Sequence, residues 1–206
     1  DPKTRYPKME PPYLPEMNPV GVYRKEIDIP EDWDEREIFL TLDGAKSGVY
    51  VYVNGKEVGY SEDSKTSAEF NITKYVNSGK NSLVLKIFRW STGSYLEAQD
   101  FFRISGIERD VFLWSQPKTS LRDFRVISTL DDDYRNGVFE LETTVRNYGN
   151  SVSYANVTFE LLDQLGETIL TETKPIGIQR GGESAIKFNA EIPNVATWTS
   201  EHPNLY

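Results

Sequence analysis

The alternation of apolar and polar residues in short runs is the feature that most limits how this chain can fold. In residues 139–145 Phe, Leu, Thr and Val alternate with Glu, Glu and Thr, and residues 186–192 repeat the pattern. Successive side chains of a strand point to opposite faces, so this period of two predicts antiparallel strands with one buried and one solvated face. Asn54-Gly55, between the β-rich runs 49–53 and 56–58, predicts a tight hairpin because both residues accept a positive φ. The sequence therefore predicts an all-β protein.

Turn signals divide the 206 residues into two β domains with a boundary near Gln116-Pro117-Lys118, giving domains of residues 1–117 and 118–206. The first contains about eight strands, counting a proline-rich extended arm up to Pro19, which is typical of a jelly-roll β-sandwich. The clear strand candidates of the second are residues 121–130, 138–145, 155–162 and 184–192. They predict an immunoglobulin-like β-sandwich without a disulfide. About five or six strands are found where seven are usual, so we expect its C-terminal strands to be missing and a sheet edge to be open.

Composition argues against several classes of function. The net charge of −9 disfavours a nucleic-acid partner, which needs a basic face. The absence of cysteine excludes disulfides, thiolate metal sites and cysteine nucleophiles, and a single histidine, His202, argues against a Ser-His-Asp triad or a multi-histidine metal site. No apolar run of about 18 residues is present, so no membrane span is predicted. The N-terminal residues lack a signal-peptide pattern. We expect a soluble protein, and the sequence does not choose between the cytoplasm and the periplasm.

A group of acidic residues around an aromatic cluster is the first candidate site. The acids are Glu97, Asp100, Glu108 and Asp110, and the neighbouring arginines are Arg89, Arg103 and Arg109. Carboxylates accept hydrogen bonds from sugar hydroxyls while aromatic rings cover the apolar face of a pyranose, so this pattern suits a sugar. The alternative is that the acids form salt bridges with the arginines. The sequence leaves both interpretations open.

Three further patterns have functional and ordinary interpretations. Tyr50, Tyr52, Tyr60 and Trp90 suit either a carbohydrate-stacking strip or packing inside a sandwich. Asn71-Ile-Thr73 and Asn156-Val-Thr158 match the glycosylation sequon. The acidic run that begins at Asp131 lacks the spacing of a calcium-binding EF-hand loop and is interpreted as a solvated turn.

Several segments, in collinear order over essentially the whole chain, resemble the N-terminal region of glycoside hydrolase family 2 β-galactosidases. They are Arg5-Tyr6-Pro7, Asn18-Pro-Val-Gly-Val-Tyr23, Leu42-Asp-Gly44, Val53-Asn-Gly55, Val58-Gly-Tyr60, Asp63-Ser64, Glu69-Phe70, Arg89-Trp-Ser-Thr-Gly-Ser-Tyr-Leu-Glu-Ala-Gln-Asp100, Arg103-Ile-Ser-Gly-Ile-Glu-Arg-Asp-Val111 and Trp198 with Glu201-His-Pro-Asn-Leu-Tyr206. The resemblance implies a sugar-binding jelly-roll domain followed by an immunoglobulin-like domain.

The same resemblance implies a function for the complete protein. Members of the family hydrolyse terminal β-D-galactosides with retention, and their catalytic (β/α)₈ barrel follows these two domains. This chain shows no βα alternation and is too short for such a barrel. The resemblance therefore implies a non-catalytic fragment that supports its own catalytic barrel domain. It also implies magnesium and sodium in the complete enzyme, none held by the fragment alone, and a homo-oligomer.

Two residues receive a role by resemblance. The Asp that ends the Tyr-Leu-Glu-x-Gln-Asp segment contacts galactose and a sodium ion in the family, and here it is Asp100. A carboxylate suits both tasks, because it accepts from hydroxyls and coordinates a hard cation. An Asn before the Tyr-Pro of the arm also contacts substrate in the family, and Lys3 occupies about that position here. Ala98 replaces a residue that is often acidic, so subsite details are expected to differ.

Two alternatives remain. An aromatic-rich sandwich with an acidic loop also suits a stand-alone carbohydrate-binding module. β-Glucuronidases and β-mannosidases share the two-domain plan, so a fragment of either is the other alternative, although the Tyr-Leu-Glu-x-Gln-Asp segment is more similar to that of galactosidases.

Overall fold

In the computed structural model, the residues described are 10, 12–97 and 104–206. Their regular structure consists of strands and three short 3-10 helices, which confirms the all-β prediction. The chain divides into two compact units, Asp1–Gln116 and Pro117–Tyr206. Within the described part, no helix is long and apolar enough to cross a lipid bilayer.

The first unit contains nine strands among its described residues. They are β1 Val20–Ile29, β2 Glu37–Leu42, β3 Ala45–Lys46, β4 Gly48–Val53, β5 Lys56–Ser61, β6 Ala68–Asn71, β7 Gly79–Phe88, β8 Gly106–Ile107 and β9 Val111–Gln116. The 3-10 helices span Glu31–Trp33, Thr73–Tyr75 and Thr92–Tyr95. A four-stranded sheet has the order β1-β7-β4-β5 and a three-stranded sheet has the order β6-β2-β9. Strands β3 and β8 form a separate pair.

The two larger sheets share one apolar core. Alternate residues of β4 and β7 point inward, so that Val49, Val51, Val53, Leu83, Leu85 and Ile87 are buried. The facing sheet contributes Ile38, Leu40 and Leu42 of β2 to the same cluster. Burial of apolar surface stabilises such a sandwich by about 25 cal/mol per Å². This is the two-layer arrangement that a jelly-roll sandwich requires.

The hairpin between β4 and β5 turns at the predicted Asn54-Gly55. Both residues have positive φ, 51° and 77°, as a type I′ turn requires. The Asn54 side chain is itself bonded: its Nδ2 donates to the carbonyl oxygen of Tyr75 (2.9 Å) and to Oδ1 of Asn81 (2.8 Å), and its Oδ1 accepts from the Ser82 amide (2.9 Å). The turn is therefore tied to the 3-10 helix Thr73–Tyr75 and to the start of β7.

The second unit has five strands in two sheets. They are β10 Thr119–Leu130, β11 Gly137–Asn147, β12 Ser153–Leu162, β13 Thr168–Ile178 and β14 Glu183–Ile192. One sheet has the order β10-β11-β14, and β12 pairs with β13 in the other. Phe139, Leu141, Phe159 and Phe188 form the buried core between the two sheets. The four clear strand candidates of the sequence correspond to β10, β11, β12 and β14, and the structure contains β13 as a fifth strand.

Strand β10 carries apolar residues that the second unit leaves uncovered. The register pairs Phe124 with Thr143 and Val126 with Leu141, which places both on the inward face of the sheet. Yet Phe124 is 64% exposed and Val126 is 48% exposed, while their partners on β11 are buried. The β12–β13 sheet therefore covers β11 and β14 but leaves this face of β10 open.

Asn147 is a buried polar residue at the end of β11. Its Nδ2 donates to the carbonyl oxygens of Ser151 (2.7 Å), Ile178 (3.2 Å) and Gln179 (3.3 Å), and its Oδ1 accepts from the Gly149 amide (2.8 Å). The side chain is 1% exposed. It joins the end of β11 to the following turn and to the end of β13.

Candidate functional site

The described acidic candidates, Glu97, Glu108 and Asp110, lie at one end of the first sandwich, near the loop that connects β5 to β6. Residues 62–65 of this loop contact two other segments, residues 92–97 and residues 104–110, and we call residues 62–65 the tether. The tether begins directly after β5, and the first of the other segments follows β7 and Trp90. Pairing of β5 with β4, and of β4 with β7, brings these chain ends together.

Two carboxylates join the tether to residues 92–97. Glu62 accepts hydrogen bonds from the Thr92 hydroxyl (2.8 and 2.9 Å) and from the Gly93 amide (2.5 Å). Glu97 accepts from the Ser64 amide at Oε1 (2.7 Å) and from the Ser64 hydroxyl at Oε2 (2.5 Å). Hydrogen bonds to an ionised carboxylate are about twice as strong as neutral ones. These four donors therefore fix the 3-10 helix Thr92–Tyr95 and the residues after it.

The same tether is bonded to residues 104–110. Lys65 forms an ion pair with Glu108 in which both side chains are partly shielded from solvent. The Arg109 guanidinium donates from Nη1 to the carbonyl oxygen of Lys65 (3.0 Å). Further support comes from β3, which pairs with β8, and from the Glu108 amide, which donates to the Gly44 carbonyl oxygen (3.0 Å).

The tether is stiffened by an Asx-type turn at Asp63. This residue has φ of 79°, in the left-handed region that Asp tolerates better than most residues. Its carboxylate accepts from the Thr66 hydroxyl (2.7 Å) and from the Lys65 amide (3.2 Å). The hydrogen bond from the Thr66 side chain is the main reason that the pKa of Asp63 lies below its usual value.

Hydrogen bonds also control the charge of Glu62. Partial burial acts to raise its pKa, but the bonds from Tyr60, Thr92 and Gly93 together outweigh it, and the pKa of the carboxyl lies below its ordinary value. The Tyr60 hydroxyl donates to Glu62 Oε1 (2.7 Å). Burial first, and this hydrogen bond second, raise the pKa of the Tyr60 hydroxyl. Glu62 is thus an anion and Tyr60 a neutral donor at neutral pH.

The described contacts of Glu97 and Glu108 are with the tether, whereas predicted salt bridges that involve Asp100 or Arg103 fall outside the described residues. Glu97 binds Ser64, and Glu108 pairs with Lys65. Arg109 donates to main-chain carbonyl oxygens, and Arg89 lies over the Trp90 ring at 5.2 Å from its centroid. The sequence misses these partners because they come from the tether, which is 33 to 44 residues away along the chain. Asp110 takes part through its carbonyl oxygen, which accepts from the Asp43 amide (3.0 Å).

Asp100 and Lys3, the two residues assigned to substrate by resemblance, lie outside the described residues, as do Ala98 and Arg103. Among the residues that are described, no group of three or more His, Asp or Glu side chains could hold a metal ion. The described residues end at Glu97, three positions before Asp100, and begin again at Ile104.

The tyrosine strip lies on the outer face of the four-stranded sheet. Tyr50 contacts Tyr60 with ring centroids 4.5 Å apart and Phe88 at 5.8 Å. The Lys86 ammonium lies over the Tyr52 ring at 4.8 Å. Tyr60, the most exposed of the three tyrosines, is 42% exposed, so the rings pack on one another and still present an edge to solvent.

The two sequons occupy different environments. Asn71 donates from Nδ2 to the buried Glu37 carboxylate (2.7 Å), and the Thr73 hydroxyl lies 2.7 Å from Asn71 Oδ1. This network engages both polar atoms of the Asn71 side chain, which is partly buried. Asn156 lies exposed within β12.

The run that begins at Asp131 is a hairpin turn, as its composition predicts. Asp131 Oδ1 accepts from the amides of Arg135 (2.8 Å) and Asn136 (3.1 Å), and its own amide donates to the Asn136 carbonyl oxygen (2.9 Å). A carboxylate that caps backbone amides in this way has its pKa lowered by them.

Glu62 is the site residue that sequence reasoning missed. It belongs to no quoted motif, and its neighbours Ser61 and Asp63 give it the appearance of a solvated acid. Its partners Thr92 and Gly93 are about 30 residues away, so only the order of strands in the sheet reveals the contact.

Comparison with known proteins places these features in a family. Residues 3–117 match the family model of the sugar binding domain of glycosyl hydrolases family 2, and residues 119–206 match a second model of glycosyl hydrolases family 2. A beta-galactosidase of Priestia megaterium is 37% identical over 202 residues, which are 97% of this chain and 19% of that protein. A beta-galactosidase of Leuconostoc mesenteroides is 39% identical over 205 residues, covering 96% of this chain and 20% of the relative.

Solved structures show the same fold. Bacteroides uniformis beta-glucuronidase 2, covalently bound to cyclophellitol-6-carboxylate aziridine, aligns with a TM-score of 0.82 at 24% identity, covering 90% of this chain and 23% of that one. A putative beta-galactosidase from Bacteroides fragilis aligns with a TM-score of 0.76 at 18% identity, covering 89% and 29%. The chain spans about a fifth of the length of the curated relatives that it matches. With both parts of the chain matched by family models, this protein belongs to glycosyl hydrolases family 2.

Proposed function

We propose that this chain is the N-terminal part of a retaining β-galactosidase that hydrolyses terminal β-D-galactosides. The observation that carries the proposal is the identity of 37% and 39%, along nearly the whole chain, to two proteins named beta-galactosidase. The solved beta-glucuronidase shares the fold at the lower identity of 24%. Galactoside rather than glucuronide is therefore the preferred substrate class.

In this proposal the chain supports catalysis without performing it. Glycoside hydrolysis with retention requires two carboxyl groups about 5 Å apart on either side of one bond. In the described site three carboxylates are already engaged, Glu62 and Glu97 by hydroxyl and amide donors and Glu108 by Lys65. The catalytic acids would be supplied by a (β/α)₈ barrel domain, which is the proposed partner of this chain within one enzyme.

Asp100 is the residue through which we propose that the chain reaches the substrate. It would accept hydrogen bonds from galactose hydroxyls and bind a sodium ion together with ligands of the barrel, while Lys3 would lie at the position of a second sugar contact. Magnesium and sodium are proposed for the complete enzyme, with neither held by this chain alone. For the complete enzyme we also propose a homo-oligomer with no nucleic-acid or membrane partner.

The test compares the 206-residue chain with the complete enzyme on a chromogenic β-galactoside and the matching β-glucuronide. We expect the complete enzyme to cleave the galactoside and the chain alone to cleave neither. Asp100→Asn in the complete enzyme should lower kcat/KM by about 100-fold, the size of effect that follows loss of a positioning contact. Preferred cleavage of the glucuronide would refute the substrate assignment, and unchanged kinetics of the variant would refute the site.

The second candidate is a stand-alone carbohydrate-binding module, favoured by the partly exposed edge of the Tyr50 and Tyr60 rings. Titration calorimetry of the chain with galactose and lactose separates the two. Sub-millimolar binding by the chain alone supports the module, whereas no binding supports a pocket completed by another domain.

A further inference from the structure

The outer face of the sheet formed by β12 and β13 carries an exposed tyrosine beside an exposed asparagine. Tyr154 is 84% exposed, and Asn156 follows two positions later on the same face of β12. The register places Gly177 opposite Tyr154 and Pro175 opposite Asn156 on β13. In the part of the chain that the structure describes, neither the Tyr154 hydroxyl nor the Asn156 side-chain amide has a hydrogen-bond partner. Both groups are therefore free to bind a ligand.

An open depression of about 410 Å³ lies at the same place, within the size range of small-molecule sites. It is lined by residues of the two strands, namely Tyr154, Ala155, Asn156, Pro175, Ile176 and Gly177. A Cβ atom at Gly177 would stand 3.3 and 3.5 Å from two carbons of the Tyr154 ring, so the missing side chain lets the ring lean across β13. Glycine inside a strand weakens the strand and often marks a place where a ligand approaches closely.

The patch around Tyr154 is uncharged, although 27% of the residues of the chain are charged. Its six outward positions on the paired strands hold aromatic, amide, hydroxyl, proline and glycine residues: Tyr154, Asn156, Thr158, Thr173, Pro175 and Gly177. The outer face of the other sheet of this unit differs, because Lys187 and Glu142 form an ion pair there (2.8 Å). A patch without charge has no strong attraction for a phosphate or a carboxylate, and its polar groups suit a neutral ligand that is rich in hydroxyls.

We propose that this patch binds a neutral pyranose unit of a glycan. The apolar C–H face of the sugar stacks on the Tyr154 ring, and Pro175 adds apolar surface beside it. The Asn156 side chain carries both donors and an acceptor, so it binds neighbouring sugar hydroxyls. The site lies wholly within the second unit, and the inference goes beyond the proposed function without depending on it.

The test is a titration of the isotope-labelled 206-residue chain with lactose, followed by NMR. We expect saturable shifts of the Asn156 side-chain amide and of the backbone amides of β12 and β13, in the millimolar range, which is weaker than the binding expected of a stand-alone module. Tyr154→Ala should weaken this binding at least about fivefold by removing the stacking surface. Gly177→Ala should also weaken it, because the added Cβ displaces the ring. Tyr134→Ala is the matched control, since this tyrosine is 77% exposed in the turn between β10 and β11.

Saturable shifts at β12 and β13 that both site variants weaken and the Tyr134→Ala control retains support the proposal. No shifts there, equal shifts with glycerol or glucuronate, or wild-type affinity of either site variant overturns it. Shifts of the same amides that grow with protein concentration in the absence of sugar, and vanish in Tyr154→Ala, identify a second copy of the chain as the occupant and also overturn it. Each of these negative results leaves the galactosidase assignment intact, because that assignment is tested by the activity of the complete enzyme.

Discussion

Asn147→Asp replaces a buried side-chain amide by a carboxylate of nearly the same shape. We expect this change to destabilise the second unit strongly. In the folded chain, Nδ2 faces three carbonyl oxygens at 2.7–3.3 Å. An ionised carboxylate has no proton to donate, so acceptor would face acceptor. Leaving a buried acceptor without its donor costs about 1–3 kcal/mol, and the buried charge adds a comparable amount. We expect a loss of about 3–5 kcal/mol at pH 7, near the whole stability of many small domains.

This loss should depend on pH with a defined sign. The site stabilises the protonated acid, which can donate to a carbonyl oxygen, so the pKa of the introduced carboxyl is raised in the folded state. A group of this kind stabilises the fold while protonated and loses that contribution as pH rises. The difference between variant and wild type should therefore be largest at pH 7 and should shrink as pH falls toward about 4, the ordinary value for Asp.

The assay is hydrogen exchange at increasing urea, because it reports on each unit separately. For a unit of about ninety residues, the free energy of unfolding changes by about 1 kcal/mol per molar urea, so the midpoint of β11–β14 should fall by about 3 M or more. Peptides of the first unit serve as the internal reference. Asn150→Asp, at an exposed position of the same turn, is the matched control. Equal midpoints for the two variants at pH 7 would refute the assignment of Asn147 as a buried donor.

Two further predictions concern the core and the tether. Phe188→Ala should lower the free energy of unfolding of the second unit by about 3–5 kcal/mol, because the ring is fully buried against Phe159. Phe124→Ala, at an exposed position, should lower it by less than about 1 kcal/mol. Similar urea midpoints for the two variants would contradict the observed core. Glu62→Gln should reduce the loss of first-unit stability in acid. A carboxyl whose pKa is lowered by folding stabilises the fold at pH values above its unfolded pKa, and this contribution is lost as pH falls through its folded pKa. Urea midpoints at pH 7 and pH 3.5 test this, and an equal fall of the midpoint for variant and wild type would exclude it.

The fold class can be predicted from local sequence patterns, and the strand that these patterns miss is missed for a local reason. Alternation is strong in β11 and β14, where one face is buried and the other is wet, and both strands lie where the sequence predicts them. Strand β13 was missed because Pro175 lies inside it, and proline lacks the amide that a central strand needs. Pro175 fits because, among the described strands, β13 pairs only with β12. The other edge of β13 therefore has no strand partner and tolerates proline.

The candidate site is predicted less well because its contacts join distant parts of the chain. Acids near Asp100 are visible in the sequence, yet the described partners of Glu97 and Glu108 are Ser64 and Lys65, which come from the distant tether. A carboxylate takes whichever donor the sheet order brings near, and sheet order is not encoded in a short window. The family resemblance named Asp63-Ser64 and the Asp100 segment separately, and only the structure shows that the two motifs touch.

The hydrogen bonds of the Asn54-Gly55 turn affect the rate at which Asn54 deamidates. An Asn-Gly pair deamidates when the glycine amide nitrogen attacks the asparagine side chain and ammonia leaves, which requires the side chain to turn toward the backbone. Here the Asn54 amide is held at both of its polar atoms by Tyr75, Asn81 and Ser82. We therefore expect this turn to form isoaspartate more slowly in the folded chain than in urea, a difference that peptide mass spectrometry after storage at pH 7.4 detects. The contacts that hold the hairpin in place also protect Asn54 from deamidation.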